Sequence, residues 1–163
     1  MDWFPIDGFP AYDVNPLGEI RHARLDRLVL PIMNRSYSVY VCLWRDGQHV
    51  KRSLASLVAR MFLDPPPDEH FDTPINLDGD RFNCAVENLA WRPRWFSIQY
   101  HRQFREPPVA RIEGPLRSRD TREVFFSSME AATAHGLLEH EVVLSVYQGS
   151  PVFPTYELFE YAG

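Results

Sequence analysis

Residues 74–91 read PINLDGDRFNCAVENLAW, and this stretch decides the fold class predicted for the chain. Its Asp78-Gly79 dipeptide is typical of a turn, because Asp side chains bond to nearby backbone groups there and glycine tolerates a left-handed conformation. The pattern predicts a hairpin-like element around this turn, which ends at residues 89–91, and a helix over residues 95–104. We therefore expect a β-hairpin and a helix near the centre of the chain.

The residues before this stretch predict a mainly β structure with one helix. Residues 1–20 carry aromatic residues and turn formers that predict short strands, and the run YSVYVCLW at 37–44 predicts another strand. Asp46-Gly47 is a strong hairpin signal. Ser53 is a suitable N-cap for a helix, which the run DPPP at 64–67 ends. The predicted apolar face of this helix consists of Leu54, Leu57, Val58, Met61 and Phe62.

The residues after the central stretch predict a second, smaller domain. The sequence EPP at 106–108 is the best candidate for a linker, so we expect domains over 1–105 and 106–163. Residues 109–112, 123–126 and 155–161 predict strands. Together the two parts predict an α+β fold.

Two short helices are expected within this second domain. Ser127 and Glu130 form a capping box, which opens a short helix that Gly136 ends. A second helix over residues 138–147 is ended by Gly149. Two short helices around a tight glycine turn indicate a helix-turn-helix.

The chain as a whole resembles phage-type HNH homing endonucleases, which carry accessory modules on either side of the nuclease core. Residues 3–30 resemble the N-terminal nuclease-associated module, and residues 54–62 resemble the family's His-Arg-Leu-Val-Ala-x-x-Phe helix, with Ala55 at the histidine position. Residues 109–161 resemble the C-terminal nuclease-associated helix-turn-helix module through FFSSMEAATAHG and the later YQG. The N-terminal signature is met by Tyr12, Val14, Gly18, Ile20 and Arg21.

Residues 75–91 resemble the ββα-metal core of that family. The positions that match it in register are Gly79, Asp80, Asn83, Glu87, Asn88, Leu89 and Trp91. The resemblance implies small β-hairpin modules, a ββα-metal-like core and a C-terminal strand and helix-turn-helix module.

The resemblance also implies one divalent metal ion and one histidine base, yet this sequence lacks the residues for both. The metal-ligand, base and second ligand positions fall on Ile75, Asn76 and Ser97. An amide cannot take a proton near neutral pH, and isoleucine has no lone pair for a metal. Loss of a general base costs about 10²–10⁴-fold in rate. We therefore predict no catalytic residue, no bound metal and no cofactor.

A rebuilt metal site is the alternative. The candidate ligands near the core in sequence are His70, Asp72, Asp78, Asp80 and His101. Asp78 and Asp80 flank Gly79, where turn chemistry explains both side chains, and His70 and Asp72 lie in a Pro- and acid-rich segment. The turn explanation is favoured over the metal site.

The charge distribution argues against general DNA binding. Residues 1–105 hold 13 Lys+Arg and 13 Asp+Glu, whereas residues 106–163 hold 4 and 9, and no Lys or Arg follows Glu123. Glu139 and Glu141 would face phosphates if the second short helix entered a groove. A weaker nucleic-acid candidate is the central basic cluster, interleaved with aromatic residues: Arg92, Arg94, Arg102 and Arg105.

The remaining expectations concern location and partners. The chain has no apolar run of membrane-spanning length and begins with acidic rather than basic residues, so we expect neither membrane insertion nor secretion. The primary hypothesis is a non-catalytic phage protein in the host cell cytoplasm that binds a protein partner or joins a virion, without a small-molecule substrate. The alternatives are a non-cleaving DNA-binding regulator and, third, a nuclease with a rebuilt metal site.

Overall fold

The computed structural model describes residues 1–107 and 110–163, and it has the predicted α+β class. The chain forms two compact units, Met1–Arg94 and Trp95–Gly163. The sequence places this boundary after residue 105. The structure groups the central helix with the second unit, because Gln103 on that helix exchanges hydrogen bonds with the backbone of Leu137 and Glu139. Pro108 of the predicted linker lies outside the described residues.

The first unit is built on two small antiparallel sheets. Strands β1 (Phe4–Ile6), β2 (Phe9–Val14), β3 (Ile20–His22) and β4 (Arg27–Val29) form one sheet in that order. Strands β5 (Ile32–Met33), β6 (Val39–Arg45) and β7 (Gln48–Ser53) form the other. The predicted hairpin is confirmed: Asp46 and Gly47 have φ of 53° and 75°, as a two-residue turn with both central residues left-handed requires.

Helix α1 (Leu54–Phe62) closes the core of the first unit. Ser53 caps it by accepting a hydrogen bond from the Ser56 N–H, as predicted. The inner faces of both sheets and the apolar face of α1 pack together, and their buried side chains include Val14, Ile20, Val41, Leu43, Leu54 and Val58. Strands β8 (Thr73–Asn76) and β9 (Leu89–Arg92) pair antiparallel beside this core, and a short 3₁₀ helix, Val86–Asn88, precedes β9.

Gly18 fixes the contact between the β2–β3 turn and the segment before β9. Its φ is +83°, and a Cβ there would lie 2.6 Å from the Cys84 carbonyl oxygen. The neighbouring Pro16 carbonyl accepts a hydrogen bond from the Val86 N–H. Only glycine suits this position, because both the backbone conformation and the space exclude a side chain.

The second unit combines a three-stranded sheet with three helices among its described residues. Helix α2 (Arg94–Gln103) leads into it, and strands β10 (Leu116–Ser118), β11 (Val124–Phe125) and β12 (Phe159–Tyr161) form a sheet in the order β11-β10-β12. Helices α3 (Ser128–His135) and α4 (Glu139–Gln148) lie between β11 and β12 in sequence. Gly136 and Gly149 end these helices in the left-handed conformation, as predicted.

The strand predicted over residues 109–112 is wrong in its described part. Val109 lies outside the described residues, and residues 110–112 form no strand. The Ile112 N–H donates to the Ser128 hydroxyl and its carbonyl accepts from the Ser128 N–H, so the start of α3 takes the bonds that a strand partner would use. Strand β10, which the sequence analysis missed, follows instead. No helix in the described part of the chain is long and apolar enough to cross a bilayer.

Candidate functional site

The loop between β8 and β9 is held by its own side chains. The Asp78 carboxylate accepts hydrogen bonds from the side-chain amides of Asn83 (2.7 Å) and Asn88 (2.9 Å) and from the Asp80 N–H (2.9 Å). The Asn88 side chain in turn accepts from the Asp78 N–H. Each polar group of this network therefore has a partner within the loop.

These bonds determine the acidity of Asp78. Partial desolvation alone would raise the pKa of its carboxyl, but the hydrogen bonds from Asn83, Asn88 and the Asp80 backbone outweigh it, so the pKa of Asp78 lies below its usual range. Asp80 has a similar local role, since its carboxylate accepts from the Phe82 N–H. Both acids make the turn contacts that the sequence analysis favoured.

Asn76, which the sequence resemblance aligns with a base position, is part of the same network. Its side chain is 1% exposed. Its Nδ2 donates to the Asn83 carbonyl at 3.0 Å and to the Cys84 Sγ at 3.6 Å. Burial raises the pKa of the Cys84 thiol to about 11, so this sulfur is neutral near pH 7. Asn76 thus ties the end of β8 to the loop and has no proton-accepting group of useful basicity.

Ile75, which the sequence resemblance aligns with a metal-ligand position, is a core residue. Its side chain is fully buried, and it lies opposite Ala90 in the β8–β9 pair. A buried aliphatic side chain cannot replace the carboxylate or imidazole that a divalent cation needs. The residues at these two positions do not fit a metal ion.

Ser97, the third predicted position, lies on α2 in the second unit. It is buried, and the Nδ1 of His101 lies 2.9 Å from the Ser97 carbonyl oxygen and 3.4 Å from the Ser97 hydroxyl. This is an i, i+4 contact within one helix. His101 is therefore engaged with its own helix, and Ser97 contributes a neutral oxygen, a weak ligand for a hard cation.

A rebuilt metal site finds no support in the geometry. Across residues 1–107 and 110–163, no group of three or more His, Cys, Asp and Glu side chains is arranged to hold a metal ion. His70 is exposed beside Glu69, and Asp72 accepts from the Thr73 hydroxyl. The five candidate residues therefore remain without a shared cation site.

The residues that match the family pattern are those that build the loop. Gly79 adopts φ of 79°, Asn83 and Asn88 bind Asp78, and the Trp91 indole N–H donates to the Asp64 carbonyl at 2.9 Å. The positions that depart from the pattern are those that the chemistry needs. The residues that build the loop are thus different from the positions that the resemblance assigns to catalysis.

The four candidate nucleic-acid-binding arginines are divided between the two units. Arg92 and Arg94 belong to the first unit, whereas Arg102 and Arg105 lie at the end of α2 and just beyond it in the second. Arg94, Arg102 and Arg105 are exposed, and the Arg92 guanidinium donates to the Trp91 carbonyl.

The aromatic residues between these arginines are used mainly in packing. Phe96 and Tyr100 are buried and stack on each other, with ring centroids 6.0 Å apart. Trp95 is 52% exposed and packs on Phe153. The amphipathic-helix explanation therefore accounts for most of this segment.

Glu139 requires a correction. From the sequence, Glu139 would face phosphates if α4 entered a groove, but its carboxylate is fully buried. Arg111 donates to it through two nitrogens, at 2.7 and 2.9 Å, and the Ser128 hydroxyl donates at 2.8 Å. The hydrogen bonds with Glu139 raise the pKa of the Arg111 guanidinium further, so Arg111 stays charged. Glu139 is therefore a buried ion-pair partner at the start of α4.

A run of exposed apolar residues that the sequence analysis missed lies at residues 25–33, which read LDRLVLPIM. Their large apolar side chains are between 36% and 76% exposed: Leu25, Leu28, Leu30, Ile32 and Met33. The sequence itself shows this feature, since five large apolar residues in nine positions are more than an exposed polar segment usually carries. The pattern did not predict which of these side chains are exposed, because strands β4 and β5 are too short to show a clear alternation of apolar and polar residues.

Comparison with known proteins gives one structural similarity. A solved structure described as "DNA binding and cleavage by the HNH homing endonuclease I-HmuI" aligns with a TM-score of 0.53 and 18% sequence identity, over 99% of this chain and 98% of that chain. No family model matches the sequence. No curated protein sequence matches it either. The chain therefore has an α+β fold like that of an HNH homing endonuclease, as its residues in the β8–β9 loop predicted.

Proposed function

We propose that this chain is a catalytically inactive HNH-fold protein that acts by binding a protein partner. The proposed inactivity rests on the role of Asn76, because its amide is buried and donates to Asn83 and Cys84 within the loop. A base must be able to take a proton from water, and neither Asn76 nor the neighbouring Ile75 can.

The proposed binding to a protein partner rests on the exposed apolar residues and on the net charge of the chain. Exposed large apolar side chains are typical of protein interaction sites, and residues 25–33 carry five of them. The chain carries a net charge of −5, which disfavours general attraction to nucleic acid. A protein partner accounts for both features.

The wider setting follows from the family resemblance. We place the protein in a phage-infected host cell, in the cytoplasm or within a virion. Purified virions probed with an antibody against this chain test that placement: a band retained after gradient purification supports a structural role, and its absence restricts the protein to the cytoplasm.

DNA binding without cleavage is the second candidate. It is favoured by the exposed Arg94, Arg102 and Arg105 and by the burial of Glu139, which removes one of the acids counted against it. The structurally similar I-HmuI structure is described in terms of DNA binding and cleavage. A nuclease with a rebuilt metal site ranks third, since the candidate ligands do not converge.

A gel-shift titration at low and physiological salt separates the first two candidates. The protein-binding proposal predicts no shift at physiological salt. A regulator would give a shift that weakens steeply with salt. Arg92→Ala with Arg94→Ala would weaken it further, because each lost phosphate contact removes favourable counterion release. Arg35→Ala is a matched control, since Arg35 is an exposed arginine of the first unit outside this cluster.

A further inference from the structure

His135, the last residue of α3, lies between two carboxylates of the second unit. Its Nδ1 lies 2.8 Å from each carboxylate oxygen of Glu157, and its Nε2 lies 2.6 Å from a carboxylate oxygen of Glu123. The Phe125 ring packs edge-on against the imidazole, with ring centroids 5.4 Å apart. The histidine therefore connects α3, the turn that leads into β11 and the segment before β12.

This geometry requires a proton on both ring nitrogens of His135. A neutral imidazole has one N–H donor and one nitrogen lone pair, whereas the imidazolium has two donors. In the neutral ring the lone pair would face a carboxylate, and two acceptors form no hydrogen bond. Only the imidazolium forms a charge-assisted hydrogen bond with the carboxylate on each side.

The Glu157 carboxylate has His135 as its cationic partner. Its side chain is 7% exposed, and the Ser118 hydroxyl donates to it at 2.9 Å. Across residues 1–107 and 110–163, no Lys or Arg side chain forms an ion pair with Glu157. A buried carboxylate is costly unless it is paired and hydrogen-bonded, so the second ring proton of His135 stabilises this site.

The contact with Glu123 is the more easily broken of the two. The Glu123 side chain is 53% exposed, and the Thr121 hydroxyl also donates to it, at 2.9 Å. The hydrogen bonds from Thr121 and His135 place the pKa of the Glu123 carboxyl below its usual range, so this group is ionised near neutral pH. Water can replace the imidazole at an exposed carboxylate but not at a buried one. Loss of one ring proton should therefore break the contact with Glu123 first.

The other charged groups of the surrounding segments have contacts of their own. Two acids each accept from a backbone N–H, one acid pairs with two arginines, and α4 carries a buried ion pair and an exposed histidine–acid pair. These groups are Asp120, Glu130, Glu160 with Arg117 and Arg119, Glu139 with Arg111, and His140 with Glu141. We therefore assign the pH dependence of the contact to His135 and its two carboxylates.

We propose that His135 is a proton-dependent clamp of the second unit. In its doubly protonated form it ties α3 to both Glu123 and Glu157. When the pH rises and one ring proton leaves to solvent, Glu123 and the turn between β10 and β11 are released. Glu157 keeps its hydrogen bonds from Ser118 and from the remaining ring N–H. Histidine is the side chain whose charge normally changes between about pH 5 and 8, so a small change in pH can operate the clamp.

The stability of the second unit should fall as the pH rises. The folded state holds the second proton of His135 in these contacts, whereas the unfolded chain releases it as an ordinary histidine does. The contribution of the clamp is therefore present in mild acid and is lost in mild base. We expect the equilibrium constant for unfolding of this unit to rise at least about threefold from pH 6 to pH 8, against a limit of about tenfold per pH unit for one proton. Urea titration of the full chain, followed through the amide resonances of α3 and α4, measures this constant.

Variants assign the pH dependence to the clamp. His135→Gln should remove it. His140→Gln is the matched control and should keep it, because His140 also lies beside a carboxylate, 3.0 Å from Glu141, but that pair is exposed. Glu123→Gln removes an exposed carboxylate and leaves the fold intact, and its amide can donate to the neutral ring. In this variant the rise between pH 6 and pH 8 should be less than about twofold.

Nitrogen-15 spectroscopy of the imidazole rings observes the protons themselves. At pH 7 both ring nitrogens of His135 should be protonated. The amide resonances of residues 120–124 should shift with the same midpoint as the ring, and those of residues 156–158 should shift less. A ring with one protonated nitrogen at pH 7 would overturn the proposal, as would ring titration that leaves residues 120–124 unchanged. Equal pH dependence in the parent and in His135→Gln would also overturn it. The proposed binding to a protein partner stands or falls separately, on the gel-shift titration.

Discussion

Replacing Asn76 with alanine tests whether this residue has become structural. The substitution removes the donor to the Asn83 carbonyl and to the Cys84 sulfur. A hydrogen bond contributes about 0.5–1.5 kcal/mol, and a buried group left without a partner costs about 1–3 kcal/mol. The Asn83 carbonyl also accepts from Asn88 at 2.8 Å, so it keeps one partner. We therefore expect Asn76→Ala to lower the free energy of unfolding by about 1–2 kcal/mol.

Urea denaturation followed by tryptophan fluorescence measures this loss. The experiment is best done in a Trp95→Phe background, because Trp3, Trp44 and Trp91 then report on the first unit alone. Phe82→Ala is the matched control, since Phe82 is 45% exposed in the same loop and should change stability by less than about 0.5 kcal/mol. An Asn76→Ala protein as stable as the parent would refute a structural role for this amide.

Three further predictions follow from the described contacts. Arg111→Ala should destabilise the second unit by about 2–3 kcal/mol in thermal or urea unfolding, because it leaves the buried Glu139 carboxylate with fewer donors. The control Arg119→Ala removes a more exposed ion pair and should cost less than about 1 kcal/mol. Equal losses in the two variants would contradict the argument from burial. Asp78 has a lowered pKa in the folded state, so its contribution to stability is complete above its unfolded pKa of about 4 and is lost as pH falls through its folded pKa. The stability difference between the parent and Asp78→Asn should accordingly be constant from about pH 5 upward and shrink at more acid pH, and a difference that grows in acid would be inconsistent with this sign. Cys84, with a pKa of about 11, should resist iodoacetamide at pH 8 in the folded protein, whereas the partly exposed Cys42 should react. Peptide mass spectrometry measures the labelling of each cysteine. Rapid labelling of Cys84 would mean that the loop opens.

Local sequence signals predicted the elements whose structure depends on short-range chemistry. The Asp46-Gly47 turn, the Ser53 cap and the glycines that end α3 and α4 all formed where expected. Each of these depends on a backbone conformation or a hydrogen bond within a few residues. Such signals can be read from the sequence without knowledge of the tertiary fold.

Features that depend on distant residues were less accessible. Glu139 looks like an exposed acid in a first helical turn, and only the position of Arg111, in a segment far from α4 in sequence, shows that it is a buried ion-pair partner. The division at residue 94 likewise depends on Gln103 reaching the turn before α4. Sequence patterns of a single chain do not contain these pairings.

The candidate site has some features that residue type alone predicts and others that depend on the tertiary fold. The departures from the family pattern at Ile75 and Asn76 were evident from the sequence, because they depend on residue type alone. The replacement role of Asn76 was not evident, since it depends on where the loop places the Asn83 carbonyl and the Cys84 sulfur.

Nicking of supercoiled plasmid in the presence of Mg²⁺ or Mn²⁺ tests the central claim most directly. We predict no cleavage above a no-protein control at any metal concentration, because the positions that the sequence resemblance assigns to the base and the metal ligand hold Asn76 and Ile75. Asp78→Asn, purified in parallel, controls for contaminating nuclease, which it would leave unchanged. Metal-dependent nicking by the parent protein that disappears in Asp78→Asn would contradict the claim and identify a rebuilt active site in the β8–β9 loop.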